Sequence, residues 1–184
     1  MKRHPLLAAL GLCLPLASTL VGQASAWTQQ LPDSVYGFSL TDTTTLSGTA
    51  GKAYRYQNAA KVRADVFVYA VPADRIGSPD SVQLASESEL FVAGLASGID
   101  RGDYDTYQVP VNSTVNVDTK TESSIPGHVV VMVFRRGNDT FVSFMHLFVM
   151  DQTYVKVRLT LPSADWETSM APNFALELAK RPFP

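Results

Sequence analysis

Apolar residues are densest between His128 and Leu161, where they fall into three strand-length runs. Val129 to Phe134 is apolar on both alternating sets, as a strand must be when both faces of its sheet are covered. It predicts a central strand. Arg135 to Thr140 is polar around Gly137-Asn138, residues that accept positive φ in a tight hairpin. Phe141 to Met150 predicts the second strand. After Asp151-Gln152-Thr153, a third sets Val155, Val157, Leu159 and Leu161 against Tyr154, Lys156, Arg158 and Thr160. One face of that strand meets a core and the other is amphipathic or wet. The three together should form the middle of one antiparallel sheet.

Upstream, Val35 to Leu40 alternates enough for a short strand, Thr41 to Thr49 reads as a small polar loop, and Ala53 to Tyr56 opens another strand. Lys61 to Val71 is a clearer one, with Val62, Ala64, Val66, Val68 and Ala70 on one side and Pro72 as a stop. The period then changes. Ser78-Pro79-Asp80 offers an N-cap, a first-turn proline and an acid, and Ser86 with Glu89 offers a second start at capping-box spacing. Leu84, Phe91, Leu95 and Ile99 fall on one helical face, with Gly98 as a terminator. Asp103 to Val109 and Val111 to Thr119 predict two strands parted by Pro110. Lys120 to Gly127 predicts a polar loop. Trp166, Met170, Phe174 and Leu178 trace a closing helix that Pro172 can break. Strands, a helix, more strands and a last helix predict an α+β fold, a twisted and largely antiparallel sheet covered by helices.

The N-terminus changes the picture of where this fold works. Lys2 and Arg3, the apolar stretch Leu6 to Val21, and Ala24-Ser25-Ala26 have the three parts of a secretory signal peptide. Cleavage after Ala26 leaves residues 27–184 as a single domain and places it in a bacterial periplasm or outside the cell. Cys13, the one cysteine, goes with the signal, so no disulfide or thiol chemistry remains. Cleavage removes two of the 15 Lys and Arg and none of the 17 Asp and Glu, so 13 bases face 17 acids and the formal charge moves from −2 to −4. That balance argues against nucleic acid. Later apolar runs are too short for a membrane span.

Tyr54-Arg55-Tyr56, the strand Val66-Phe67-Val68-Tyr69, the helix near Phe91 and the hairpin from Phe141 to Thr160 together resemble the Mog/PsbP-like superfamily over most of the exported chain. The resemblance implies an α/β/α sandwich and mostly non-catalytic roles, among them an extrinsic photosystem subunit, a partner of a nuclear-transport GTPase and small bacterial envelope proteins. It carries no binding residues with it.

Candidate chemistry is sparse. His146 lies among Phe144, Phe148 and Met150 and reads as a neutral core histidine, and His128, after Pro126-Gly127, as an exposed one. They have no metal-site spacing. Asp100, Asp103 and Asp105 lack the closing glutamate of a calcium loop, Glu87 and Glu89 read as solvated helix charges, and there is no G-x-S-x-G elbow. The set to watch is Tyr154, Lys156 and Arg158 with the aromatics Tyr54, Tyr56, Phe67 and Tyr69. If their strands adjoin, an aromatic floor with two cations would suit an anionic or amphipathic small ligand, or a peptide. The plainer alternative is that the stems of Lys156 and Arg158 lie along a helix-covered face. The expectation is an exported, non-catalytic binding or envelope-assembly module, working without a cofactor on an unknown protein or small ligand of the cell envelope. A hydrolase assembled from distant residues and a small-ligand carrier remain as alternatives.

Overall fold

The computed structural model describes residues 30–47, 51–72, 81–118, 124–150, 152–165 and 170–180. Eight strands run in one sheet: β1 (Ser34–Val35), β2 (Phe38–Thr45), β3 (Gly51–Gln57), β4 (Arg63–Ala70), β5 (Thr106–Asp118), β6 (Ser124–Arg136), β7 (Asp139–Met150) and β8 (Thr153–Pro162). Their order is β1-β2-β3-β4-β8-β7-β6-β5, and every neighbouring pair is antiparallel. Two α-helices, α1 (Ser81–Asp100) and α2 (Met170–Ala179), and a short 3-10 turn at Ser163–Asp165 complete the described chain.

The α+β, α/β/α sandwich expectation is therefore corrected. The sheet dominates, and two helices do not make full layers, so the architecture is closer to all-β. One cause is that Thr41 to Thr45 is strand rather than loop. It is exposed along its length, so it shows no apolar face to read, while β-branched threonine favours extended backbone. A second cause is Pro110, which does not end a strand. β5 runs through it with a register shift between Gln108 and Val111, as proline is tolerated at an irregular edge. β6 is also not central but next to that edge. Its two apolar faces remain necessary because the sheet carries a separate core on each side.

One core, on the α2 side, collects Phe38, Tyr54, Tyr56, Val66, Phe144, Phe148, Val157 and Leu159 around Phe174 and Leu178. The other, on the α1 side, joins Leu84 and Leu95 of the helix to Val130, Met132, Met145, Leu147 and Tyr154. α1 packs chiefly on β5, β6 and β7 and reaches β4 and β8 through Glu87 and Phe91, whereas α2 touches β1, β5 and β7. Because β1 and β5 are the two ends of the strand order, the sheet curls around α2. Pro172 stands in the first turn of α2 and does not interrupt it, since the first N–H groups of a helix have no intrahelical acceptor to lose.

Helix α1 runs through Ser86 and past Gly98, so neither marks an end. The stop is at Gly102, with φ of +75°, where Asp103 N–H reaches Gly98 O at 2.8 Å and Gly102 N–H reaches Ile99 O at 2.9 Å. That pair of bonds closes a Schellman motif. The Ser78-Pro79-Asp80 start, Trp166 and the first half of the 120–127 loop lie outside the described residues, and the second half is already strand, since β6 begins at Ser124.

Candidate functional site

Antiparallel pairing of β4 with β8 sets Phe67 opposite Lys156, Asp65 opposite Arg158, and Tyr69 opposite Tyr154. Four of the six expected residues, Tyr69, Tyr154, Lys156 and Arg158, thus share the α1 face. Tyr54 and Tyr56 do not join them. Tyr54 pairs with Val66 and Tyr56 with Ala64, which puts both on the opposite face. There Tyr56 packs edge-on against Phe174 at 5.6 Å and donates its hydroxyl hydrogen to Pro32 O at 2.9 Å. The floor under the two cations is built instead by Phe67, Tyr69 and, from the helix, Phe91.

Lys156 Nζ lies 5.7, 5.2 and 5.6 Å from the ring centres of Phe67, Tyr69 and Phe91. No carboxylate stands within 4.0 Å of it among the described residues, and the ring faces offer the charge partial compensation. Burial lowers the Lys156 pKa, Glu87 works against that and Arg158 with it. Glu87 is not a solvated helix charge, because its carboxylate accepts from Tyr69 Oη at 2.6 Å. Burial, then that hydrogen bond and the Glu87 charge, push the Tyr69 phenol up. Rings and helix enclose Lys156, which makes it a fastener between sheet and α1.

Arg158 is placed differently. Its Cζ lies 5.8 Å from the Phe91 ring centre, and its Nε donates to Ser143 Oγ at 3.1 Å, while Ser143 Oγ and Thr160 Oγ1 are 2.8 Å apart. No protein group engages its two Nη atoms among the described residues. The carboxylate across the pair, Asp65, is turned to other partners, Arg63 at 2.7 Å and Arg55 at 3.4 Å. Burial lowers the Arg158 pKa and Asp65 opposes the shift, so the guanidinium stays charged. It opens on a cleft of about 510 Å³ shared with Lys61, Arg63, Asp65, Thr160 and Asp165. No residue of α1 lines that cleft. Lys61 reaches it from a turn in which its own φ is +65°. Asn58 fixes the turn, accepting from Lys61 N–H at 3.0 Å and, through Oδ1, from Val62 N–H at 2.9 Å.

Of the two histidines, His128 departs from expectation. His128 is buried, 4% exposed, because α1 lies over the start of β6. Its Nε2 is 2.5 Å from Asn112 Oδ1, which also accepts from Ser88 Oγ at 3.2 Å. The imidazole therefore donates to an amide instead of activating the serine, and the pair lacks the bond of a nucleophile to its base. Burial lowers the His128 pKa against the opposing pull of Glu89. His146 is on the α2 face and is discussed below. Among the described residues no three His, Cys, Asp or Glu side chains converge as a metal site. Asp103 pairs with Arg101 at 2.7 Å and Asp105 accepts from Gly137 N–H at 2.7 Å, which is turn chemistry. Signals for Ser143 and Thr160 existed only as polar residues interrupting apolar strands, a pattern too common to single them out.

Fold and site define a curled antiparallel sheet in which the Arg158 guanidinium opens on a cleft of the outer face. No protein-family model matches the chain. No curated protein matches it either. Among solved structures, a Pseudomonas aeruginosa protein of unknown function aligns with 70% of this chain and 85% of its own at 9% identity and a TM-score of 0.35. No described helix is long and apolar enough to cross a membrane.

Proposed function

We propose that this is an exported, non-catalytic binding protein that holds an anionic group of its ligand or partner in the Arg158 cleft. Export rests on the Lys2-Arg3 start, the apolar run and Ala24-Ser25-Ala26. Binding rests on one observation, a charged guanidinium whose Nε is tied to Ser143 and whose two Nη atoms meet no protein acceptor among the described residues. A guanidinium fixed in that way presents a fork to two oxygens of a carboxylate or phosphate, and its immobilisation entropy is already lost before binding. Lys61 adds positive charge at the rim and Thr160 a hydroxyl, while Arg63 and Asp65 neutralise each other as a pair and Asp165 is the one acid opposing them in the cleft lining.

The test is calorimetric titration of protein recovered from the periplasm, whose intact mass should begin at Trp27, with inorganic phosphate, succinate and neutral glycerol. Phosphate or succinate binds, and whichever is tighter tells the two oxyanion sources apart; glycerol does not bind. Arg158→Met keeps the stem and removes the fork. Hydrogen bonds to charged groups contribute ~1.5–3 kcal/mol, so the variant should bind roughly 10- to 150-fold more weakly. No binding of either anion, or equal binding by the variant, refutes the cleft as the site.

A further inference from the structure

On the face of the sheet opposite the Arg158 cleft, α2 does not seal against the edge strand. Between them runs a groove of about 300 Å³, walled by Val115 and Val117 of β5, Val129 of β6, His146 and Phe148 of β7, and Leu176 of α2. This is the lower end of the ~300–1,000 Å³ spanned by small-molecule pockets.

Two features select what would fit. No charged side chain lines the groove, so an ion entering it would lose its hydration with no counter-charge to replace it. The polar atoms are few. Asn173 donates its amide hydrogen to Tyr36 Oη at 3.0 Å, whereas His146 Nε2 is buried with no hydrogen-bond partner among the described residues. Asn116 adds a second amide to the wall. His146 Nε2 has almost no surface open to the groove, so the cost of the orphaned atom is recovered when a ligand, with a small turn of the ring, supplies the missing partner.

We infer that the groove between α2 and β5 is a binding site for a small neutral molecule with an apolar body and one hydroxyl, the hydroxyl pairing with His146 Nε2. A neutral imidazole serves this purpose whichever ring nitrogen carries its hydrogen, since a hydroxyl both donates and accepts. Burial holds His146 at a pKa of about 4, so the ring is neutral at ordinary pH and no pH dependence of binding is expected above pH 6.

Titration with 4-propylphenol and with propylbenzene, followed by ring-carbon NMR of histidine-labelled protein, tests the site. The phenol should shift the His146 ring signals saturably and bind about tenfold more tightly than the hydrocarbon. His146→Phe should bring the two probes to the same affinity, and Leu176→Trp should fill the groove and remove both. Arg158→Met should leave phenol binding unchanged, which separates this site from the cleft on the other face. The inference is overturned if the His146 signals do not respond, or if the wild-type protein binds both probes equally. It is also overturned if Leu176→Trp folds and binds normally, or if the shifts follow protein concentration in place of probe concentration, which would give the groove to a second copy.

Discussion

His146 and Arg158 are both withdrawn from water, but only one of them can shed its charge. A guanidinium remains protonated even when burial lowers its pKa, so Arg158 carries an unmet demand for an anion. The imidazole instead stays neutral, and its cost falls on acid stability. His146 has a folded pKa of about 4, against ~6.5 for an exposed histidine. Above pH 6.5 the group is neutral in both folded and unfolded chains and contributes nothing. As pH falls from about 6.5 through about 4, the unfolded chain takes up the proton first, and folding stability drops by about 3 kcal/mol. Urea unfolding of the wild type and of His146→Phe should therefore diverge as pH is lowered, the variant losing less. His128, also shifted down by burial, acts in the same direction in both proteins and cancels in the comparison. Parallel pH profiles would show that His146 is already solvated in the native state.

At the scale of elements, α1 shows what periodicity can and cannot reveal. Its apolar face was legible from Leu84, Phe91 and Leu95, and the hairpin from Arg135 to Thr140 was legible from its glycine and its polar run. Gly98 was misread because a glycine near a helix end usually stops it. Its place in the structure comes from Tyr104, whose hydroxyl donates to Leu95 O and whose ring meets Phe134 at 5.4 Å and Tyr107 at 6.2 Å. A Cβ on Gly98 would run into the Tyr104 ring, whereas one on Gly94, also in α1, meets nothing within 4 Å. Gly94→Ala should therefore stabilise by ~0.5–1 kcal/mol through helix propensity, while Gly98→Ala should destabilise by ~1–3 kcal/mol as an overpacked site. Opposite shifts in thermal midpoint are expected for two identical substitutions in one helix; shifts of the same sign would contradict the close approach. The site shows the same limit. Alternation gave Tyr154, Lys156 and Arg158 one face correctly, but whether Tyr54 or Tyr69 shares that face depends on the parity of the β3, β4 and β8 registers, and strands far apart in sequence carry no signal of register. His128 was misplaced for a related reason, since its cover comes from α1.

The whole molecule depends on α2 more than its ten residues suggest. A wide sheet with one partly covered face does not need to curl, but here Phe174 stands edge-on to Phe38 at 5.1 Å and to Tyr56 at 5.6 Å, while Leu176 borders β5 across the groove. One short helix thus bridges strands from opposite ends of the order. Phe174 and Leu178 are fully buried, and α2 forms no part of the α1-side core, so its removal should act on one face at a time. Phe174→Ala is expected to cost ~3–5 kcal/mol by the loss of its own burial and the cavity left behind, a large share of the ~5–15 kcal/mol of a typical domain. The expected outcome in urea unfolding is a lower midpoint with the two faces separating. Phenol binding in the α2 groove should be lost at denaturant concentrations where the Arg158 cleft, held by β4, β7 and β8, still takes up anion. Simultaneous loss of both activities would instead show that curl and sheet form one cooperative unit, and that α2 is as necessary to the outer face as to the inner one.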